Sequence, residues 1–153
     1  MLMLSDLDDL YQQVILDHGR KPRNFRDLPG ATGRAEGFNP LCGDRVTVYI
    51  QRDDGQIADA AFTGKGCAIC TASASMMTQV VKGKSVEEAR HLFDGFHHMI
   101  TDAASTAQQA EALGKLAVFA GVKKYPVRVK CATLPWHTLK AAIDQQDQPV
   151  STE

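Results

Sequence analysis

The residues of this 153-residue chain best suited to chemistry are four cysteines in three separated segments. Cys42 stands in Leu41-Cys42-Gly43-Asp44. Cys67 and Cys70 stand in Gly64-Lys65-Gly66-Cys67-Ala68-Ile69-Cys70, and Cys131 in Arg128-Val129-Lys130-Cys131-Ala132-Thr133-Leu134. Each thiol falls at a loop or an expected element boundary, where a fold can gather soft ligands around one metal ion. Asp44 is close enough in sequence to complete the set. A sulfur-rich tetrahedral set suits Zn²⁺, and iron–sulfur clusters use the same ligands, so both stay open at this point. Asp44, a hard oxygen among sulfurs, reads as the exchangeable arm. Three thiolates and one carboxylate around a divalent ion leave a formal charge of about −2. Arg45, Lys65, Arg128 and Lys130, each within three residues of a candidate ligand, are expected to supply compensating charge and tune the thiols.

Plainer readings exist for the same residues. Cysteines are often small buried hydrophobes. Cys67-Ala68-Ile69-Cys70 has the spacing of a redox pair at a helix start, but no βαβ unit is expected around it. Gly64 and Gly66 fit neither the phosphate-loop pattern nor GxGxxG. His97-His98 and His137 read as polar surface, and His18 as a residue favoured by charge near a helix C-terminus. Met76 and Met77 read as core, and Trp136 suits either a docking surface or the core.

The elements that must position these residues follow from periodicity and punctuation. A helix is expected from Ser5 to about His18, with Leu7, Leu10, Tyr11 and Val14 on one face. Gly19 to Pro40, with three prolines and four glycines, reads as an extended loop that wraps the domain. Alternation over Arg45–Arg52, the turn Asp53-Asp54-Gly55 and a return strand over Gln56–Thr63 make a hairpin. A helix follows from Cys67 or Cys70 to Lys82-Gly83-Lys84. Ser85-Val86-Glu87-Glu88 is a capping box that opens a short helix through Phe93. Pro126 predicts an extended segment to Lys130, with a last helix from Cys131 to Asp144. The order predicts an α+β domain: an antiparallel sheet of about three strands with helices packed on one face.

Composition sets the class. Hydrophobic residues are 44% and charged residues 23%, and net charge is −1. Nothing in this balance argues for nucleic acid or an anionic membrane as partner. No apolar run approaches the roughly 20 residues that cross a bilayer, and the N-terminus does not read as a signal peptide. The expectation is a cytoplasmic protein with reduced thiols.

The cysteine segments, together with Asn39-Pro40, Ala72-Ser73-Ala74-Ser75-Met76-Met77, Trp136 and the stretch from Leu10-Tyr11 to Pro22-Arg23-Asn24, resemble the IscU/NifU N-terminal superfamily of iron–sulfur cluster assembly proteins. Within it they are most similar to the SufU branch. IscU-type members carry His where Lys130 stands, and a chaperone-docking Leu-Pro-Pro-Val-Lys where Lys124-Tyr125-Pro126-Val127-Arg128 stands. The second departure puts Hsp70 docking in doubt. Residues 94–114 match the insertion that separates SufU from IscU. The resemblance implies a single domain over residues 1–153 with a SufE/NifU-like fold, and the polar stretch 145–153 reads as a flexible tail.

It further implies zinc held by Cys42, Asp44, Cys67 and Cys131, and a sulfur-accepting role for Cys42. Zinc would hold Cys42 deprotonated but quiet until a partner's ligand displaces it. The partners implied are a SufS-type cysteine desulfurase and downstream cluster-assembly proteins. The activity implied is that of a sulfurtransferase-like persulfide carrier rather than a stand-alone enzyme. The alternative it allows is a scaffold on which a transient iron–sulfur cluster is built on Cys42, Cys67 and Cys131 and then transferred. Cys70, where the family commonly has Ser or another small residue, reads as an inert replacement.

Overall fold

The computed structural model describes residues 4–102, 107–145 and 149–151, with the backbone alone for residues 4–10, 107 and 110. Helix α1 (Leu4–Arg20) precedes strands β1 (Gly33–Asn39), β2 (Asp44–Asp53) and β3 (Gln56–Lys65). Then come α2 (Ala68–Val81), α3 (Val86–Thr101), a short α4 (Ala107–Glu111), a 3₁₀ segment (Gly114–Lys124), α5 (Pro126–Ile143) and β4 (Val150–Ser151). The architecture is α+β, as expected, but among the described residues the sheet has four strands in the order β3-β2-β1-β4 and is mixed. β1, β2 and β3 are antiparallel neighbours, whereas β4 runs parallel to β1, with Gly37 opposite Val150.

Two of these strands correct the sequence reading. β1 lies inside the stretch read as loop. Its buried positions are Gly33, Ala35, Gly37 and Asn39, alternating with exposed residues. The alternation is real but written in small and polar residues, because α5 lies hard against this strand. A side chain on Gly37 would collide with Thr138 and Leu134 of that helix. β4 lies in the stretch read as a flexible tail; of that tail, residues 146–148 and 152–153 lie outside the described ones.

Two helices also differ. α3 continues past Phe93 to Thr101 and so absorbs His97-His98 and the first part of the 94–114 segment, of which residues 103–106 lie outside the described ones. The Ser85–Glu88 capping box does open it. α5 begins at Pro126 rather than at Cys131. Proline at the first helical position sacrifices only an N–H that has no partner there, so Pro126 starts the helix instead of delaying it.

The core lies between one face of the sheet and the helices. Val46, Val48 and Ile50 of β2 point into it, along with Met76 and Met77 of α2 and Leu134, Trp136 and Leu139 of α5. Trp136 is core, not docking surface: 1% exposed and stacked on Phe96 with ring centroids 4.9 Å apart. The segment after α1 does wrap the sheet, since Phe25 bridges to Phe62 and Arg26 N–H donates to the Phe62 carbonyl. No described helix is long and apolar enough to cross a membrane.

Candidate metal centre

Three neighbouring structures at one end of the sheet deliver the site. The first is the tight connection between β1 and β2. Asn39 and Asp44 are register partners, and the Asn39 carbonyl accepts from the N–H groups of Cys42 at 3.3 Å and Gly43 at 2.8 Å. Cys42 therefore sits at a hairpin tip. Gly43 has φ +74°, a conformation that costs any L side chain about 1 kcal/mol or more.

The second is the junction of β3 and α2. Cys67 is the N-cap of α2, and its sulfur accepts from the Cys70 N–H at 3.4 Å. Gly66 lets the chain pass close to the acid, because a Cβ there would come within 3.0 Å of Asp44 Oδ1. The third is α5. With the helix starting at Pro126, Cys131 lies in its second turn, where the helix dipole has little influence on a thiol.

Cys42, Asp44 and Cys131 form a metal-capable group, each offering one ligand atom, all within 4.8 Å of one another. Cys131 Sγ donates to Cys42 Sγ at 3.5 Å. Cys67 joins through Asp44: its N–H donates to Oδ1 at 2.9 Å and its sulfur is 4.0 Å from Oδ2. Ligands of a tetrahedral zinc bound at about 2.3 Å stand roughly 3.8 Å apart. These separations fit such an ion. Asp44 is 1% exposed, and among the described residues none of the ion pairs reaches it. A buried carboxylate in that position is best satisfied by a cation.

The thiols differ sharply from one another. Cys42 and Cys67 are exposed, whereas Cys70 and Cys131 are buried. A hydrogen bond from Cys131 lowers the Cys67 pKa to about 6, assisted by the N–H groups of Cys70 and Ile69 and opposed by burial. The same contact, with burial and Asp44, raises that of Cys131, so this pair holds one proton on the buried partner. Cys70 is pushed up by burial first and then by the charges of Asp44, Cys67 and Cys42. It is 3% exposed and sits among core residues, and its N–H donates to the Cys67 sulfur.

Of the four cations expected around the site, three are exposed and one is half-buried. Arg45 and Lys65 are exposed register partners across β2 and β3. Arg128 lies over the Tyr125 ring at 5.8 Å, and Lys130 is half-buried. The histidines stand apart from the cysteines. His97 and His137 pack against each other and against Phe93, and both are half-buried rather than open surface. His18 is buried, with Nδ1 2.7 Å from Ser75 Oγ, and burial lowers its pKa. It joins α1 to α2 as a neutral ring, not as a charge at a helix end. Asn39 is the residue of the site to which the sequence reading gave no role. Its signal was Asn-Pro ahead of a glycine turn, the pattern of an amide that bonds its own backbone.

Known proteins resemble the chain over most of its length. A family model described as NifU-like N-terminal domain matches residues 10–145. The chain is 44% identical over 142 residues to a Streptococcus pyogenes protein named iron–sulfur cluster assembly scaffold protein IscU, covering 93% of this chain and 87% of that one. It is 39% identical over 143 residues to the Bacillus subtilis protein named zinc-dependent sulfurtransferase SufU, covering 94% and 95%. Among solved structures, a candidate scaffold protein for the SUF system from Fervidobacterium islandicum AW-1 superposes with a TM-score of 0.79 at 35% identity. That match covers 86% of this chain and 94% of the other.

Proposed function

The chain belongs to the family of NifU-like N-terminal domains, and from that premise we propose that it serves iron–sulfur cluster assembly as a zinc-bound sulfur acceptor. It takes persulfide sulfur from a SufS-type cysteine desulfurase and relays it to cluster-assembly proteins. One observation carries this reading. Cys42 is exposed on a hairpin tip while its sulfur lies 3.5 Å from that of buried Cys131, beside buried Asp44. A thiol is thus presented to a partner from within a set that binds metal. The relative named as a zinc-dependent sulfurtransferase supports the same reading.

Cys42, Asp44, Cys67 and Cys131 would hold the zinc, which when bound favours the thiolate over the thiol. The rest of the chemistry belongs to the chain. The Cys42 sulfur attacks the outer sulfur of the desulfurase persulfide. A sulfur–sulfur bond forms on Cys42, the bond within the donor persulfide breaks, and its electron pair remains on the desulfurase cysteine as thiolate. No oxidant is consumed. Burial keeps Cys131 and Cys70 from competing, and Cys67 is engaged with Cys131 and the Cys70 N–H. Arg45, Lys65, Arg128 and Lys130 supply the positive rim that offsets the negative ligand set.

A second reading has its own support, because a relative at 44% identity is named a scaffold protein. On it, Cys42, Cys67 and Cys131 hold a cluster while it is built and transferred. The two separate in a desulfurase assay with cysteine as substrate. The relay reading expects turnover to rise when the zinc protein is added. Unchanged turnover, with a stable visible-absorbing cluster after anaerobic reconstitution, establishes the scaffold instead.

A further inference from the structure

We propose that Asn39 is a positioning residue of this site, an amide that shapes the Cys42 loop with its oxygen and places its N–H on the Cys131 sulfur. The proposal rests on the reading of Cys42, Asp44, Cys67 and Cys131 as the ligand set.

Asn39 ends β1 and is 0% exposed. A buried side-chain amide has to satisfy both an acceptor and a donor. The acceptor is used locally: Oδ1 takes the Leu41 N–H at 3.2 Å. Pro40 between them has no N–H, so Leu41 offers the first one along the loop. The backbone carbonyl of the same residue takes the Cys42 and Gly43 N–H groups, so Asn39 ties three consecutive N–H groups of the loop. The donor is used at long range. Nδ2 lies 3.8 Å from Cys131 Sγ, across 92 residues of sequence. One side chain thereby fixes the hairpin that carries Cys42 against the helix that carries Cys131.

The choice of a neutral amide has a chemical consequence. The ligand set is rich in negative charge, and an N–H directed at a metal-bound thiolate draws electron density from the sulfur. At the buried Cys131 end, this hydrogen bond supplies what exposed cations such as Arg45 and Lys65 cannot supply without being desolvated. No other residue type matches both tasks at this length. Serine can take the Leu41 N–H in the same kind of turn but is too short to reach the sulfur, and alanine does neither.

Cobalt(II) substitution tests this directly, because its absorption reports the thiolates bound to it. Asn39→Ser and Asn39→Ala are compared with the parent protein for the thiolate-to-cobalt band, zinc transfer to a chromophoric chelator, and the urea unfolding midpoint of the metal-free form. The expected result is a shifted band in both variants and zinc loss faster by about 10–100-fold. The midpoint should be near the parent value for Asn39→Ser and lowered for Asn39→Ala. A parent band that Asn39→Ser leaves unmoved, with unchanged zinc transfer, overturns the role of Asn39 while the ligand set stands. A parent protein with no thiolate band at all overturns the ligand set, and this proposal with it.

Discussion

The backbone N–H of Cys67 donates to Asp44 Oδ1 at 2.9 Å. The start of β2 and the N-cap of α2 are therefore joined through one of the proposed ligands. The sequence reads Asp44 as the exchangeable arm. The carboxylate is buried and holds this bond, and Cys42 is the exposed member of the metal-capable group.

Asp44→Asn separates the two functions of this side chain. The amide oxygen can still accept from Cys67 N–H, but the charge is gone. The fold should persist and zinc affinity should drop at least tenfold, on the order of the losses seen when a site loses a supporting interaction. Competition with a chelator measures it. Unchanged affinity would remove Asp44 from the ligand set.

Cys70 should behave as a core residue. Its burial and raised pKa make it a poor nucleophile. In the folded metal-free protein, brief alkylation followed by peptide mass spectrometry should label Cys42 and Cys67 and spare Cys70. Cys70→Ala should keep zinc and sulfur acceptance. Rapid labelling of Cys70, or loss of acceptance in the variant, would make it part of the chemistry.

Trp136 gives a stability prediction with two arms. Its ring is buried against Phe96, yet Nε1 has no hydrogen-bond partner among the described residues. Trp136→Ala should cost about 3–5 kcal/mol. Trp136→Phe should cost much less, because it also relieves a buried orphan N–H that costs about 1–3 kcal/mol. Equal losses on urea unfolding of the two variants would contradict this, because Phe retains most of the buried ring that Ala removes.

Stability should fall on mild acidification. The folded state lowers the pKa of His18 through burial first, and that of His137 likewise, below the ordinary value of 6.5. In the window just below 6.5 the unfolded chain binds more protons than the folded one, so stability decreases as pH falls through it. Unfolding midpoints at pH 7.5 and 5.5 should differ, and His18→Gln should narrow the difference. An unaltered difference in that variant would assign the effect to other groups.

What was legible in the sequence depended on how each element writes its signal. The β2–β3 hairpin is spelled in Val46, Val48 and Ile50 with a glycine turn, and it was read correctly. β1 was not, because its inward positions are Gly33, Ala35, Gly37 and Asn39, chosen for close approach to α5 rather than for hydrophobicity. β4 is two residues long and exists only by pairing with β1, so nothing local announces it. Pro126 was read as a breaker when its place at the first helical position made it an initiator. The candidate ligands were legible because cysteine and turn residues cluster in sequence. Asn39 was not, because its partner Cys131 is 92 residues away and only the folded chain brings the two together.

The central claim is that Cys42 receives sulfur, and mass spectrometry of peptides after reaction with a SufS-type desulfurase and cysteine tests it most directly. The account predicts one added sulfur on the peptide that contains Cys42, lost in Cys42→Ser and retained in Cys70→Ala. Sulfur found on Cys67 instead, or undiminished transfer to the Cys42→Ser protein, would contradict it.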